Sequence, residues 1–198
     1  MLAEPAGHPA VIAWQAYVQS QLQSQPVQSQ PVQSQPVQSQ PVQSQPVDGG
    51  YDIAYDIDVI VIDTNVLVAA LRSTLGHSRK LLRRVLLDEV LAGVSVPLFL
   101  EYEAVLTRSK HLASFGLSME EVMEFLDGLA ARLVPIEVSY LWRPQLRDPA
   151  DEMVLEAAVN GGASHLVTWN IRDFGPAAYF GLEVVTPAEF VASLSAEE

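Results

Sequence analysis

The chain has 198 residues and a formal net charge of −13, from 24 acidic and 11 basic residues. This length suits one ordinary domain with a real core plus additional segments. The acidic excess argues against tight binding of nucleic acid through bulk electrostatics, but it leaves transient or metal-bridged contacts open. There is no cysteine, which excludes disulfides and thiolate zinc sites.

No targeting or membrane segment is recognisable in the sequence. The N-terminus lacks the basic and long apolar regions of a secretory signal. No apolar run reaches the roughly 18 residues that a membrane span requires. We therefore expect a soluble, cytoplasmic protein with no membrane partner.

The first 50 residues differ in composition from the rest of the chain. Residues 1–22 form an N-terminal extension with the apolar stretch AVIAWQAYV, which is either a short docking helix or sequence upstream of the domain. Residues 23–50 contain QSQPV five times in succession. Proline at every fifth position opposes helix and strand pairing, so we predict a disordered, extended linker. Both a spacer or proline-recognition role and a neutral repeat expansion stay open.

The predicted domain spans 51–198, where apolar runs alternate with amphipathic helical patterns. This alternation predicts a three-layer α/β/α fold with a mostly parallel central sheet. The predicted strands are 58–63, 93–96, 133–137, 165–168 and 182–185. The first predicted helix is capped by Thr64 or Asn65 and ends near Arg72, and the last one begins at Thr186 and Pro187. The predicted helices between them are 78–91, 97–108, 118–132 and 149–160.

Acidic residues recur close to the carboxyl ends of the predicted strands. In a parallel sheet these ends share one edge, and ligands bind there. Each acid taken singly has an ordinary explanation as a helix cap, a helix-dipole partner, a solvated residue or a turn residue. Their joint placement favours a shared site. The residues are Asp63 after the first strand, Glu101 in the helix after the second, Asp148 and Asp151 at the helix after the third, and Asn170 and Asp173 after the fourth.

Carboxylates gathered at one edge repel each other unless a cation is bound. The available donors are oxygens, and the chain has no cysteine. Such a donor set favours Mg²⁺ or Mn²⁺ over zinc. We therefore predict a divalent-metal site at this edge of the sheet.

Four segments of the domain resemble the PIN-domain ribonucleases, particularly the branch of toxins from bacterial toxin–antitoxin pairs. Their order and spacing match as well as their content, and the resemblance as a whole extends over about residues 57–194, nearly the whole predicted domain. The segments are VIVIDTNVLVAAL (59–71), LFLEYEAVLTRSKH (98–111), RDPADEMVLEAAVNGGASHLVTWNIRDF (147–174) and LEVVTPAEFVASL (182–194).

The resemblance implies an endoribonuclease that hydrolyses single-stranded RNA with water activated by a metal ion. It also implies a cognate antitoxin and often a homodimer. The family often has an acid where this chain has Asn170, so we expect weaker metal affinity here. The implied metal ligands and catalytic residues are Asp63, Glu101, Asp151 and Asp173, supported by Thr64, Asn65, Asp148 and Asn170.

Basic residues are concentrated in two places that are candidates for RNA phosphate contacts. An arginine-rich helix face is also often simply solvated, so both interpretations stay open. The residues are Arg79, Lys80, Arg83 and Arg84 in one helix, and Arg108, Lys110 and His111 after the Glu101 helix.

The residues after the first strand disfavour two other classes of protein. A phosphatase of the haloacid-dehalogenase type needs a second aspartate two residues after the first, where this chain has Asn65. A nucleotide-binding domain needs a glycine-rich turn after the first strand, and DTNVLV has none. The main alternative is a catalytically weak or inactive PIN-like module that binds RNA or protein.

Overall fold

The structure is a computed structural model and describes residues 59–73 and 75–194. The predicted N-terminal extension (1–22), the predicted linker (23–50) and the first part of the predicted domain (51–58) lie outside the described residues.

Within the described residues, five short strands form a sheet in the order β3-β2-β1-β4-β5, and every neighbouring pair is parallel. The central strand is apolar throughout, and Ile60 and Val61 are fully buried. Such a run is typical of a sheet covered on both faces. The three-layer α/β/α prediction is confirmed. The strands are β1 (Val59–Ile62), β2 (Leu91–Ser95), β3 (Val134–Ile136), β4 (His165–Val167) and β5 (Glu183–Val185).

Seven α-helices and one 3₁₀ segment cover the described part of the sheet. Two of these elements were not predicted: α4, which ends at Gly116 with φ 69°, and the 3₁₀ segment. The helices are α1 (Thr64–Arg72), α2 (His77–Leu86), α3 (Val96–Leu106), α4 (Ser109–Phe115), α5 (Met119–Ala130), α6 (Glu152–Asn160) and α7 (Pro187–Leu194), and the 3₁₀ segment is Ile171–Phe180.

The helix predicted over 78–91 is shorter than its apolar pattern suggested. It ends at Leu86, the chain turns at Asp88 with φ 59°, and β2 begins at Leu91. Leu91 continues the helical spacing of apolar residues, but it pairs with Val59 in the sheet. Tertiary pairing therefore overrides the local periodicity at this boundary.

The strand order places a topological switch point beside β1. The chain passes from β1 through β2 to β3 on one side, and then crosses to β4 and β5 on the other. In open parallel sheets the ligand-binding crevice lies outside the carboxyl ends of the strands at such a point. Residues that follow β1 and β4 are therefore brought together at this crevice.

Candidate active site

Asp63 is the first residue beyond β1, and it also caps α1. Its amide continues the sheet by donating to the carbonyl of Val167 at 2.9 Å. Its Oδ1 accepts a hydrogen bond from the amide of Asn65 at 3.2 Å, so the cap of α1 is Asp63 and not the predicted Thr64 or Asn65. A capping role thus accounts for one oxygen of this buried carboxylate, and the other oxygen has different partners.

The second oxygen of Asp63 is held by two side chains. The hydroxyl of Thr168 and Nδ2 of Asn65 each donate to Oδ2 at 2.6 Å. Burial raises the pKa of Asp63, and the charge of Asp173 adds to this, while the hydrogen bonds from Thr168 and Asn65 oppose it. The carboxylate is therefore fixed in position but costly to ionise.

Glu101 reaches the same crevice from α3. The next residue, Tyr102, is buried and its hydroxyl donates to the carbonyl of Ile62, which ties α3 to the end of β1. Burial and the charge of Asp63 raise the pKa of Glu101, while Thr64 and Arg108 lower it. The Thr64 hydroxyl is close enough to Glu101 to lower its pKa. However, Oγ1 of Thr64 and Oε2 of Glu101 are both buried, and neither makes a hydrogen bond of good geometry. Glu101 therefore lines the cleft and keeps one buried oxygen without a well-formed hydrogen bond.

Asp151 stands immediately before α6 and makes no side-chain capping bond to that helix. Burial, followed by the charges of Asp63, Asp148, Asp173 and Glu101, raises the pKa of Asp151 to about 6. Four other acids thus act on one carboxyl group. The repulsion among acids that the sequence predicted is present in the fold.

A cleft of about 660 Å³ opens over these residues. Asp148 and Asp173 do not line it. Asp148 is exposed and accepts a hydrogen bond from Ala150 at 2.9 Å, and Asp173 is exposed in the first turn of the 3₁₀ segment. Both act on the site through charge. The lining residues are Asp63, Thr64, Asn65, Val68, Ala69, Arg72, Glu101, Val105, His111, Asp151, Trp169 and Asn170.

The predicted basic residues lie in different places. Arg79 and Arg83 line a smaller groove with Leu82 and Phe125, away from the lining of the main cleft. Lys80 is exposed on the same helix, and Arg84 lies 3.9 Å from Glu89. In contrast, Arg108 and Lys110 lie close to the cleft. The charge of Arg108 lowers the pKa of Glu101. Burial lowers the pKa of His111, and the charges of Lys110 and Arg108 lower it further.

Three residues of the site were not predicted. Thr168 and Trp169 directly follow β4, so the rule that led to Asp63 after β1 would also have found them. Arg72 lines the cleft from the end of α1, and no local pattern distinguishes it, because only the packing of the helices brings it there. His111, a predicted phosphate contact, lines the cleft from α4.

The donor set suits a hydrated magnesium or manganese ion. In the described part of the chain, no three Asp, Glu or His side chains lie close enough together to enclose an ion by themselves. Magnesium usually keeps several waters and binds one or two carboxylates plus substrate phosphates. The oxygen donors of Asp63 and Asp151 and the unsatisfied Oε2 of Glu101 fit that mode of binding.

Comparisons with known proteins identify the family. A sequence profile described as "PIN domain" matches residues 59–172, more than half of the chain, and this chain belongs to that family. PIN domains are generally nucleases and typically use divalent metals. The matched range includes Asp63, Glu101 and Asp151, and it ends just before Asp173.

Among solved structures, the chain is similar to the crystal structure of VapBC2 from Rickettsia felis bound to a DNA fragment from their promoter. The match has 20% identity and a TM-score of 0.48, and covers 65% of this chain and 98% of that chain. A search of curated proteins found no match. No helix in residues 59–73 and 75–194 has the length and apolar character to cross a membrane.

Proposed function

We propose that this protein is a metal-dependent endoribonuclease that hydrolyses phosphodiester bonds of single-stranded RNA and serves as the toxin of a toxin–antitoxin pair. The observation that carries the proposal is the convergence of Asp63, Glu101 and Asp151 on one cleft at the carboxyl edge of the sheet. The upward pKa shift of all three carboxyls supports a site that a cation completes. Membership of the PIN family supports the nuclease class.

The roles follow from how each side chain is held. A bound Mg²⁺ or Mn²⁺ supplies Lewis acidity toward the phosphate and makes water more acidic. Asp63, held by Thr168 and Asn65, and Asp151 offer oxygens for the ion. Glu101 lines the cleft and has a raised pKa, which suits it to accept a proton from the attacking water. Asp173 adds negative charge at the rim, and no covalent intermediate is required.

The partners belong to the same proposal. A cognate antitoxin and a homodimer come from the family resemblance, and the cytoplasmic location comes from the sequence analysis. The single-stranded character of the substrate is also part of the proposal.

A catalytically weak or inactive binding module is the second candidate. Asn170, which lines the cleft, favours it because this corner lacks the charge that an acid would contribute. The incomplete grouping of carboxylates in the described residues points the same way. Metal binding and cleavage distinguish the two candidates.

The test combines calorimetry with cleavage. Mn²⁺ is titrated into the wild type, Asp63→Asn and the control Asp127→Asn, which makes the same change at an exposed position of α5. Labelled single-stranded RNA, duplex RNA and single-stranded DNA are then incubated with each protein. We expect Asp63→Asn to lose metal affinity and to cleave single-stranded RNA at least about 100-fold more slowly. Equal cleavage by the wild type and Asp63→Asn rejects the site.

The toxin role needs a separate readout. Induced expression of the wild type is expected to arrest bacterial growth, and expression of Asp63→Asn is not. Growth arrest by both proteins would show that the effect does not depend on this site. If the protein cleaves RNA but does not arrest growth, it is a nuclease and the toxin assignment is wrong.

A further inference from the structure

Trp169 is an exposed aromatic residue at the lip of the acidic cleft. It follows β4, its side chain is 45% exposed, and it lines the cleft together with Asp63, Asn65 and Asn170. The mechanism proposed above assigns no role to this residue. A single exposed aromatic residue is ordinary on a protein surface, but one at the lip of a cleft offers a flat apolar face to whatever binds there.

The ring of Trp169 is fixed at its polar end. Its Nε1 donates to Oγ of Ser78 at 3.0 Å, and Ser78 is only 2% exposed on α2. The single polar atom of the indole is therefore satisfied inside the protein, and the exposed part of the side chain is apolar. A ring already held in place loses little conformational freedom when a ligand stacks on it.

The backbone of Trp169 is fixed to the same network as the candidate metal ligand. Its amide donates to Oδ1 of Asn65 at 3.2 Å, and Nδ2 of Asn65 donates to Oδ2 of Asp63 at 2.6 Å. Asn65 therefore relates the position of the indole to that of the carboxylate. A group bound against the ring is held next to the site where a phosphodiester would react.

Electrostatic attraction alone would bind a polyanion only weakly in this cleft. The chain carries a net charge of −13, and acids dominate the centre of the cleft. Arg72 and His111 are the basic side chains in its lining, and burial together with neighbouring cations lowers the pKa of His111. Stacking of one base on an aromatic ring strengthens binding by about 5- to 150-fold, without needing positive charge.

We propose that Trp169 is a stacking platform for one unpaired nucleobase beside the candidate active site, so that this protein holds its substrate largely by a base. The inference rests on the proposed function, because it assumes that a nucleic-acid strand enters the cleft. A base inside a duplex is already stacked on both sides and cannot cover the ring. The indole thus supplies a physical reason for a preference for single strands.

The test measures RNA binding by fluorescence anisotropy, in Mg²⁺ and in EDTA. The probes are a labelled oligouridine and a series of versions that each lack the base at one position. A gel verifies that each probe stays intact. The proteins are the wild type, Trp169→Ala, Trp169→Phe, Ser78→Ala, and the control Tyr179→Ala, which removes an aromatic residue that is 88% exposed outside the cleft lining. Thermal unfolding of each variant verifies folding.

We expect one abasic position to weaken binding to the wild type by about 5- to 150-fold. Trp169→Ala should bind the intact probe more weakly by a similar factor and should no longer sense that abasic position. Trp169→Phe should retain most of the affinity, Ser78→Ala should lose part of it, and Tyr179→Ala should match the wild type.

Two results overturn the inference, and the first does not depend on any variant folding. One is equal wild-type affinity for every abasic probe. The other is a folded Trp169→Ala that binds the intact probe as tightly as the wild type and keeps the same sensitivity to the abasic position. Base-dependent binding without cleavage would keep the stacking role and reject hydrolysis. Cleavage that is insensitive to Trp169 would keep hydrolysis and reject stacking.

Discussion

The hydroxyl of Thr168 donates a hydrogen bond to Oδ2 of Asp63 at 2.6 Å, although the two residues are 105 positions apart in the chain. Asp63 follows β1 and Thr168 follows β4, so the contact spans the two neighbouring strands at the topological switch point. Both side chains are buried. This bond fixes the orientation of the carboxylate around which the cleft is organised.

Replacing Thr168 with valine keeps the shape of the side chain and removes the donor. The buried carboxylate of Asp63 then loses one of its two side-chain donors, so the free energy of unfolding should fall by about 1–3 kcal/mol. Loss of an orienting partner should also weaken Mn²⁺ binding by about 10- to 100-fold. Chemical denaturation and calorimetry measure the two effects.

Thr107→Val is the matched control for that substitution. The hydroxyl of Thr107 donates only to the carbonyl of Glu103, at 2.7 Å and four residues earlier. We expect little change in either measurement. If Thr168→Val binds Mn²⁺ as tightly as Thr107→Val does, the contact has no part in orienting the ligand.

The raised pKa of Asp151 makes stability depend on pH when divalent metal is absent. The folded protein holds this proton up to about pH 6, whereas the usual pKa is 3.8. The unfolded chain therefore releases the proton first, so the melting temperature in EDTA should fall as the pH rises from about 4 to above 6. Asp151→Asn should flatten this part of the curve, and Mg²⁺ should restore stability to the wild type above pH 6.

Asp127→Asn controls for the general effect of removing one acid from an acidic protein. It should leave the slope between about pH 4 and pH 6 as in the wild type. A slope that is equally steep in Asp151→Asn would show that Asp151 is not the group responsible.

Glu152 holds the loop that leads into Asp151. Its Oε1 accepts from the amides of Gln145 and Leu146 at 2.6 and 2.8 Å, and the side chain is only 2% exposed. Glu152→Ala leaves these amides without their acceptor, so we expect a loss of about 1–3 kcal/mol in the free energy of unfolding. The displaced loop should also reduce cleavage of single-stranded RNA.

Glu124→Ala makes the same change at an exposed position of α5 and should affect neither quantity by a large amount. Full stability and full cleavage in Glu152→Ala would mean that the loop keeps its position by other contacts, such as the ion pair between Arg143 and Glu156 at 2.7 Å.

The position of Arg72 in the cleft lining changes which cations are expected to contact RNA phosphates. Arg72→Ala should weaken binding of single-stranded RNA and lower the slope of log K against log salt by about 0.7, the value for one phosphate contact. Arg79→Ala, on the smaller groove, should have a lesser effect. Anisotropy titrations at several salt concentrations test this order. A larger loss in Arg79→Ala would restore the α2 face as the main RNA contact.

Local patterns in the sequence were sufficient for the layers and for several element boundaries. The helix predicted from residue 118 begins with a capping box in which Ser118 and Glu121 make both hydrogen bonds. The helix predicted to open at Thr186 begins in the same way, with hydrogen bonds between Thr186 and Glu189. These features depend on residues three positions apart, so the sequence contains all the information they need.

The sequence also determined which strand ends would carry carboxylates, because alternation of strands and helices sets the direction of every strand. Asp63, Glu101 and Asp151 line one cleft as that argument predicts. The same argument did not separate them from Asp173, which stays exposed outside the lining. The difference depends on how the 3₁₀ segment turns away after β4.

Only the tertiary structure decided which side chains meet and how strongly they are perturbed. Arg72, His111 and Trp169 reach the cleft through the packing of α1, α4 and the end of β4, and no periodicity records that packing. The raised pKa of Asp151 arises mainly from burial and then from charges distant in sequence. Desolvation and contacts across 105 residues are properties of the folded chain, which is why residue order predicted an acidic edge and only the fold gathered three of its acids around one cleft.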